Sequence, residues 1–273
     1  MRLSLPRDEF IKAAGAALSG APAAARTYVP LAVRLLSDQL TPVLAYRRLV
    51  AEDARPAPSF LLESVEGGER QGRHSILGTH PVLEIRARGS DVEVVDHRSG
   101  QREQREHADP MQVLKDHSRR LRLAPVDERL TTFALPTCFL GGWIGHASYD
   151  TVRYAEPDKL PFAAAPHDDR GLPDLHFGLY DEVVIFDHVS RLVFVIRLVE
   201  LSAATNAGSA WDHASSQLVR TAEALQRHSK PLPSGYFEMP GGVEIPASNL
   251  TRAQHRAMVD RAKEYIRAGD IFQ

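Results

Sequence analysis

Cysteine is nearly absent from this sequence: its 273 residues contain one, Cys138. A single thiol forms no intrachain disulfide, so packing has to hold the fold, and a reducing cytoplasm fits the composition. Cys138 lies in an apolar segment without a sequence partner that argues for a nucleophile. We therefore interpret it as a small core residue.

Long hydrophobic runs and an excess of one charge are also missing. No uninterrupted apolar run approaches the ~18 residues of a membrane span, and the N-terminus lacks the apolar core of a signal peptide. The net charge is −2 with histidine neutral, which does not suggest a nucleic-acid or membrane partner. The hydrophobic fraction of 43% and the charged fraction of 25% are typical of a globular protein.

The common catalytic signatures are absent as well. The chain has no phosphate loop, no G-x-G-x-x-G opening a helix, no G-x-S-x-G elbow and no H-E-x-x-H. The twelve histidines are scattered, and we interpret His167-Asp168-Asp169 as solvated surface of a proline-rich loop rather than a cation site. The residues alone therefore show no convincing catalytic constellation.

Helical and strand patterns alternate along the chain. Helices are predicted at about residues 8–18, 42–50, 110–118, 209–227 and after Thr251, where Gln254 completes a capping box. Thr41-Pro42 and Asp109-Pro110 each predict an N-cap followed by proline at the first helical position. Strands are predicted at residues 28–36, 60–62, 74–77, 82–88, 92–95, 139–143, 181–187 and 192–199, with loops at 99–109 and 156–173. Apolar and charged residues alternate over residues 82–88, which predicts a half-exposed strand with Glu84 on its polar face. Hairpins outnumber βαβ units, which predicts an α+β fold of mostly antiparallel sheets packed together with flanking helices.

The stretch that begins at Phe60 is the most distinctive. Three apolar residues predict a strand covered on both faces, and the polar pair Glu63-Ser64 follows it directly. That pair is either exposed at the sheet rim or buried with partners. A turn containing Gly67, Gly68 and Gly72 leads to the next strand, and spacing alone favours an ordinary hairpin.

A second patterned stretch runs from Gly141 to Tyr154. Asp150 and Arg153 are three residues apart, so they can pair on a helical turn. The preferred interpretation is a strand-to-helix corner in which glycines allow close packing, with a substrate site as the alternative.

The last residues, Asp270 to Gln273, predict the beginning of an apolar strand with nowhere to continue. This suggests that the sequence is truncated. A truncated piece is expected to expose apolar surface and to be poorly soluble.

Several of these segments, in this order, resemble the N-terminal region of anthranilate synthase component I, a chorismate-utilising family. The matching segments are Thr41 to Val43, Phe60 to Gly68, Gly72 to Gly78, Gly141 to Arg153 and Asp260 to Gln273. His74 and His146 stand where the family often has tyrosine.

The resemblance implies a lyase that converts chorismate, and ammonia from glutamine, to anthranilate and pyruvate in tryptophan biosynthesis. It also implies Mg2+, a glutamine amidotransferase subunit (component II) as partner, and feedback inhibition by tryptophan. Residues 1–230 correspond to the family's N-terminal region, and residues 231–273 to a linker and the start of the chorismate-binding catalytic region.

The resemblance also assigns site residues. Leu62, Glu63 and Ser64 correspond to half of the tryptophan effector site. The catalytic and Mg2+ residues of the family lie downstream of Gln273, so the chain as given is expected to be inactive alone. Two alternatives remain open: a fragment of aminodeoxychorismate synthase component I, and a stand-alone small-molecule-binding or subunit-interaction module.

Overall fold

The computed structural model describes residues 1–22, 25–50, 57–64, 72–227 and 247–273. The strands are β1 (Arg26–Leu36), β2 (Phe60–Leu62), β3 (His74–Gly78), β4 (Leu83–Arg88), β5 (Asp91–Asp96), β6 (Arg102–Glu106), β7 (Leu121–Leu123), β8 (Gly142–Ala147), β9 (Leu175–Tyr180), β10 (Glu182–Asp187) and β11 (Leu192–Leu201). The helices are α1 (Arg7–Ser19), α2 (Pro42–Leu49), α3 (Pro110–Arg119), α4 (Val152–Ala155), α5 (Ala207–Gln226) and α6 (Arg252–Ala268). None of the described helices is both long enough and apolar enough to cross a bilayer.

Two sheets carry the fold. One has the strand order β2-β3-β10-β11-β1-β7, and the other has the order β6-β5-β4-β9-β8. Among the described strands only β1 and β7 pair in parallel. Ile144 of the second sheet packs against a cluster built on Ile185 and Ile196 of the first. The predicted α+β class with mostly antiparallel, packed sheets is therefore confirmed.

Helices cover one face of the six-stranded sheet. Alternate residues of β1, among them Val29 and Leu31, pack with Phe10 of α1 and Leu218 of α5 in the largest core cluster. The opposite face of the sheet packs on the loop that contains Phe133. Because both faces are covered, β10 and β11 read as nearly continuous apolar runs rather than as alternating ones.

The two sheets follow each other directly along the chain. β9 ends at Tyr180 and β10 begins at Glu182, so Asp181 alone separates a strand of one sheet from a strand of the other. The next connection, between β10 and β11, is the hairpin that the sequence predicts.

Two predictions about strands near sheet edges are wrong. β2 is not covered on both faces, because Phe60 and Leu61 are only partly buried and Leu62 is 51% exposed. It is also an edge strand of its sheet. Residues 99–109 are not simply a loop: they contain β6, whose five residues are all exposed. Charged side chains are common on edge strands because they discourage pairing with another chain, so the charge that indicated a loop here accompanies a strand.

Three further predictions also need correction. Residues 82–88 form a strand that is more buried than predicted, because Glu84 on its polar face is fully buried. The strand predicted at residues 139–143 begins only at Gly142. The residues from Asp270 to Gln273 are not a strand, since a strand needs a pairing partner.

Contacts divide the chain into two units, Met1–Ser229 and Lys230–Gln273. The described part of the second unit contains α6, whose capping box of Thr251 and Gln254 forms as predicted. The helix ends at Gly269, with φ 83°, as expected for a left-handed cap. The predicted linker at residues 230–235 and the glycines Gly67 and Gly68 lie outside the described residues.

Candidate functional site

The three residues predicted to bind an effector lie at one end of an edge strand. Leu62 is the last residue of β2, and Glu63 and Ser64 follow it as exposed residues. Among the described strands β2 pairs only with β3, where Leu62 stands opposite Ile76. The polar pair therefore lies at the sheet rim, where a small ligand can reach it.

The start of the same strand is held by an aromatic contact. The ring of Phe60 meets the ring of Tyr180 edge-on, with centroids 4.7 Å apart, and the Tyr180 hydroxyl donates to the Pro58 carbonyl at 3.0 Å. A Cβ at Gly78 would overlap the Phe60 ring, so glycine is needed there. The apolar body of β2 is thus anchored while its C-terminal end is open.

The second patterned stretch forms β8 and the corner after it. Gly145 lies against the backbone of His176 in β9, where a Cβ would collide with the carbonyl group. Gly141 and Gly142 both have φ 139°, which residues with side chains rarely adopt. These glycines allow the close approach and the turn that the sequence predicts.

The corner after β8 is fixed by polar contacts. Arg153 Nε donates to Asp150 Oδ1 at 2.6 Å, which confirms the predicted pair. The Tyr154 hydroxyl donates to Asp174 Oδ2 at 3.0 Å, and the same oxygen accepts the Gly89 N–H at 2.8 Å. The corner is thereby tied to the turn that joins β4 and β5.

A buried carboxylate between two imidazoles is the feature that sequence reasoning missed. The Nε2 atoms of His97 and His176 donate to the two oxygens of Glu84, at 2.7 and 2.6 Å. Arg86 Nε also donates to Glu84, at 2.5 Å. Burial raises the pKa of Glu84, but the hydrogen bonds from His176, His97 and Arg86 outweigh it and hold the pKa at about 2. Glu84 is therefore an ionised carboxylate inside the protein.

A second set of ion pairs links the two sheets. Arg98, in the turn between β5 and β6, donates to Asp181 and Glu200, each at 2.7 Å. Arg26 donates to the same Glu200 carboxylate at 2.6 and 2.8 Å. Burial raises the pKa of Glu200, but the hydrogen bonds from Arg26 and Arg98 hold it at about 2.

The remaining candidate residues are structural. Cys138 is partly buried against the Phe194 cluster, and burial raises the pKa of its thiol, which agrees with a core role. Asp168 is exposed and pairs with Arg88 at 2.9 Å, as expected of surface. Within the described residues, no three side chains of His, Cys, Asp or Glu converge as a metal site.

The family model for chorismate binding enzymes matches residues 57–273. The chain belongs to the chorismate binding enzyme family. Among its curated relatives, anthranilate synthase alpha subunit 2, chloroplastic, of Arabidopsis thaliana is 40% identical over 99% of this chain and 43% of the relative. Anthranilate synthase component 1 of Acetivibrio thermocellus is 30% identical over 90% of this chain and 46% of the relative.

These relatives confirm the resemblance to anthranilate synthase component I within the chorismate binding enzyme family. The chain spans less than half the length of the curated relatives it matches. A crystal structure of anthranilate synthase component I from Streptococcus pneumoniae TIGR4 matches with a TM-score of 0.44 and 24% identity, covering 87% of this chain and 46% of that one.

Proposed function

We propose that this chain is the N-terminal, tryptophan-sensing part of an anthranilate synthase component I. The complete enzyme converts chorismate and ammonia from glutamine to anthranilate and pyruvate. The observation that carries the proposal is the 40% identity with a plant anthranilate synthase alpha subunit over 99% of the chain. Residues 1–230 are the N-terminal region, and residues 231–273 begin the catalytic region.

The end of β2 is the effector site in this proposal. Tryptophan needs an apolar wall for the indole and a few placed polar groups for its ammonium and carboxylate. Leu62 forms part of the apolar wall, Glu63 faces the ammonium of tryptophan, and the Ser64 hydroxyl forms a hydrogen bond with the effector. The exposure of all three residues supports this assignment, since a reversible effector has to enter from solvent.

Partners and cofactor follow from the same proposal. The complete enzyme takes ammonia from a glutamine amidotransferase subunit and uses Mg2+. The single cysteine of this chain, Cys138, fits a cytoplasmic location. The described residues do not fit a Mg2+ centre, and we assign none of them as a Mg2+ ligand. Because the chain spans less than half the length of its anthranilate synthase relatives, we expect no anthranilate from this chain alone with chorismate, Mg2+ and ammonia. Turnover would contradict the assignment.

Replacement of Ser64 by phenylalanine tests the effector site. In the complete enzyme, Ser64→Phe fills the end of β2 and removes the hydroxyl, so tryptophan loses its differential affinity for the inhibited state. Since effector coupling is typically about 1–3 kcal/mol, the tryptophan concentration for half-inhibition should rise about 5–150-fold. Uninhibited kcat and KM for chorismate should stay unchanged.

Ser209→Phe is the matched control, because Ser209 is an exposed serine near the start of α5. It should leave tryptophan inhibition as in the wild type. If Ser64→Phe is inhibited at the wild-type tryptophan concentration, the site assignment is wrong. Calorimetry with tryptophan on this chain alone should show no tight binding, because half of the site lies elsewhere.

A further inference from the structure

Two histidines face each other across neighbouring strands of the five-stranded sheet. His146 in β8 and His176 in β9 are directly opposed in the antiparallel register. Their ring centroids are 5.9 Å apart, with an angle of 73° between the ring planes. Directly opposed residues of antiparallel strands project from the same face, so both imidazoles belong to one surface. They are 30 positions apart in sequence, and no short motif indicates the pair.

The ring of His176 is oriented by Glu84. Its Nε2–H donates to Glu84 Oε1 at 2.6 Å, so the neutral ring carries its lone pair on Nδ1. Among the described residues no hydrogen bond uses that Nδ1 or either ring nitrogen of His146. An imidazole that donates one N–H to a carboxylate while its other nitrogen is available is the usual arrangement of a metal-binding histidine.

The pair is also accessible to a cation. The side chain of His176 is 23% exposed, and His146 is exposed. Glu84 lies behind the ring of His176 and accepts its Nε2–H, and Arg86 also donates to Glu84. His97 occupies the second oxygen of Glu84, so that carboxylate orients the ring and does not itself face the cation.

We propose that His146 and His176 bind one borderline divalent transition-metal ion, such as Cu2+, Ni2+ or Zn2+, with water completing the coordination shell. Imidazole nitrogens suit these ions, whereas Mg2+ prefers oxygen ligands. The site is therefore separate from the Mg2+ of the proposed lyase activity. Its affinity should follow the general order for divalent metals, with Cu2+ bound most tightly.

Titration of the untagged chain with Cu2+ tests the proposal, because an affinity tag of histidines would mask the site. Calorimetry should show one tight ion per chain, and electron paramagnetic resonance of the Cu2+ should show two coordinated nitrogens. His146→Phe keeps an aromatic ring beside His176 but removes a ligand. Because the two histidines of one chain bind the same ion, removal of His146 should weaken Cu2+ binding about 100-fold.

His213→Phe is the control, because His213 is exposed on α5 without a described partner; it should bind Cu2+ as the wild type does. Glu84→Gln should weaken binding about 10–100-fold through the ring of His176, provided that circular dichroism shows the variant folded. Wild-type affinity in folded His146→Phe, or a resonance spectrum with a single nitrogen, would overturn the site. Either result leaves the proposed tryptophan response untouched.

Discussion

Glu200 is one carboxylate shared by two arginines, and this sharing makes the protein's stability depend on pH. Its pKa in the folded chain is about 2, below the ordinary value of 4.5. Because the folded state favours the ionised form, the contribution of Glu200 is fully present above about pH 4.5. It is lost as the pH falls from there towards 2.

Glu200→Gln should therefore lower the free energy of unfolding near pH 7, by on the order of 2 kcal/mol. Between pH 5 and pH 2 the variant should lose less stability than the wild type. Urea denaturation across this pH range measures both effects. Glu223→Gln, on the exposed face of α5, controls for the removal of a carboxylate as such. A Glu200→Gln curve parallel to that of the wild type would contradict the prediction.

Single residues also show what the sequence alone does not reveal. Glu84 stands on the polar face of an alternating strand, which predicts exposure. Its burial depends on His97, 13 positions away, and on His176, 92 positions away. For Leu62 the error has the opposite sign: the apolar run predicts burial, and the side chain is 51% exposed. An apolar run does not reveal whether its strand lies in the middle of a sheet or at its edge.

At the scale of elements, β8 and β9 depend on one glycine. A Cβ on Gly145 would collide with backbone of His176, and backbone cannot rotate aside as a flexible side chain does. Gly145→Ala should therefore destabilise the protein by about 1–3 kcal/mol, the usual range for overpacking. It should also weaken Cu2+ binding, because the two histidines lose their register.

Gly15→Ala is the matched control for Gly145→Ala. Gly15 lies in α1, and a Cβ there meets nothing within 4 Å. Alanine is the better helix former, so this variant should gain up to about 1 kcal/mol. Thermal unfolding of both variants should show lower stability for Gly145→Ala and higher stability for Gly15→Ala. Equal stability of Gly145→Ala and wild type would contradict the prediction, because it would show that β8 and β9 can move apart without a loss of stability.

Local signals predicted most elements well. The caps Thr41 and Asp109 accept backbone N–H groups at the starts of α2 and α3, and the hairpin of β10 and β11 forms where its apolar runs indicate. These features depend on neighbours in sequence. The order of strands in the sheets depends on distant pairings, such as β1 with β11, which a single sequence does not encode in a readable pattern.

For the whole molecule, the edges of the six-stranded sheet matter most. β2 and β7 form its two edges, and Leu62 and Leu123 on them are 51% and 49% exposed. Exposed apolar edge strands favour pairing with another copy of the chain. We expect self-association at high protein concentration, measured by light scattering coupled to size-exclusion chromatography.

Leu123→Lys should reduce this association, because a charge on β7 opposes edge pairing and leaves the proposed effector residues intact. Leu172→Lys is the control, since Leu172 is exposed in the loop before β9 rather than on a strand. A wild-type chain that stays monomeric at all concentrations would contradict the prediction.

Asp181 is the one-residue connection between β9 in one sheet and β10 in the other, and this connection limits where the chain tolerates length changes during evolution. Side chains alternate between faces along a strand, so an insertion at Asp181 would invert inner and outer residues in β10 relative to β9. It would also move the carboxylate away from Arg98. The irregular segment at residues 156–173 can absorb added residues, whereas the passage between the sheets should keep its length in every functional descendant.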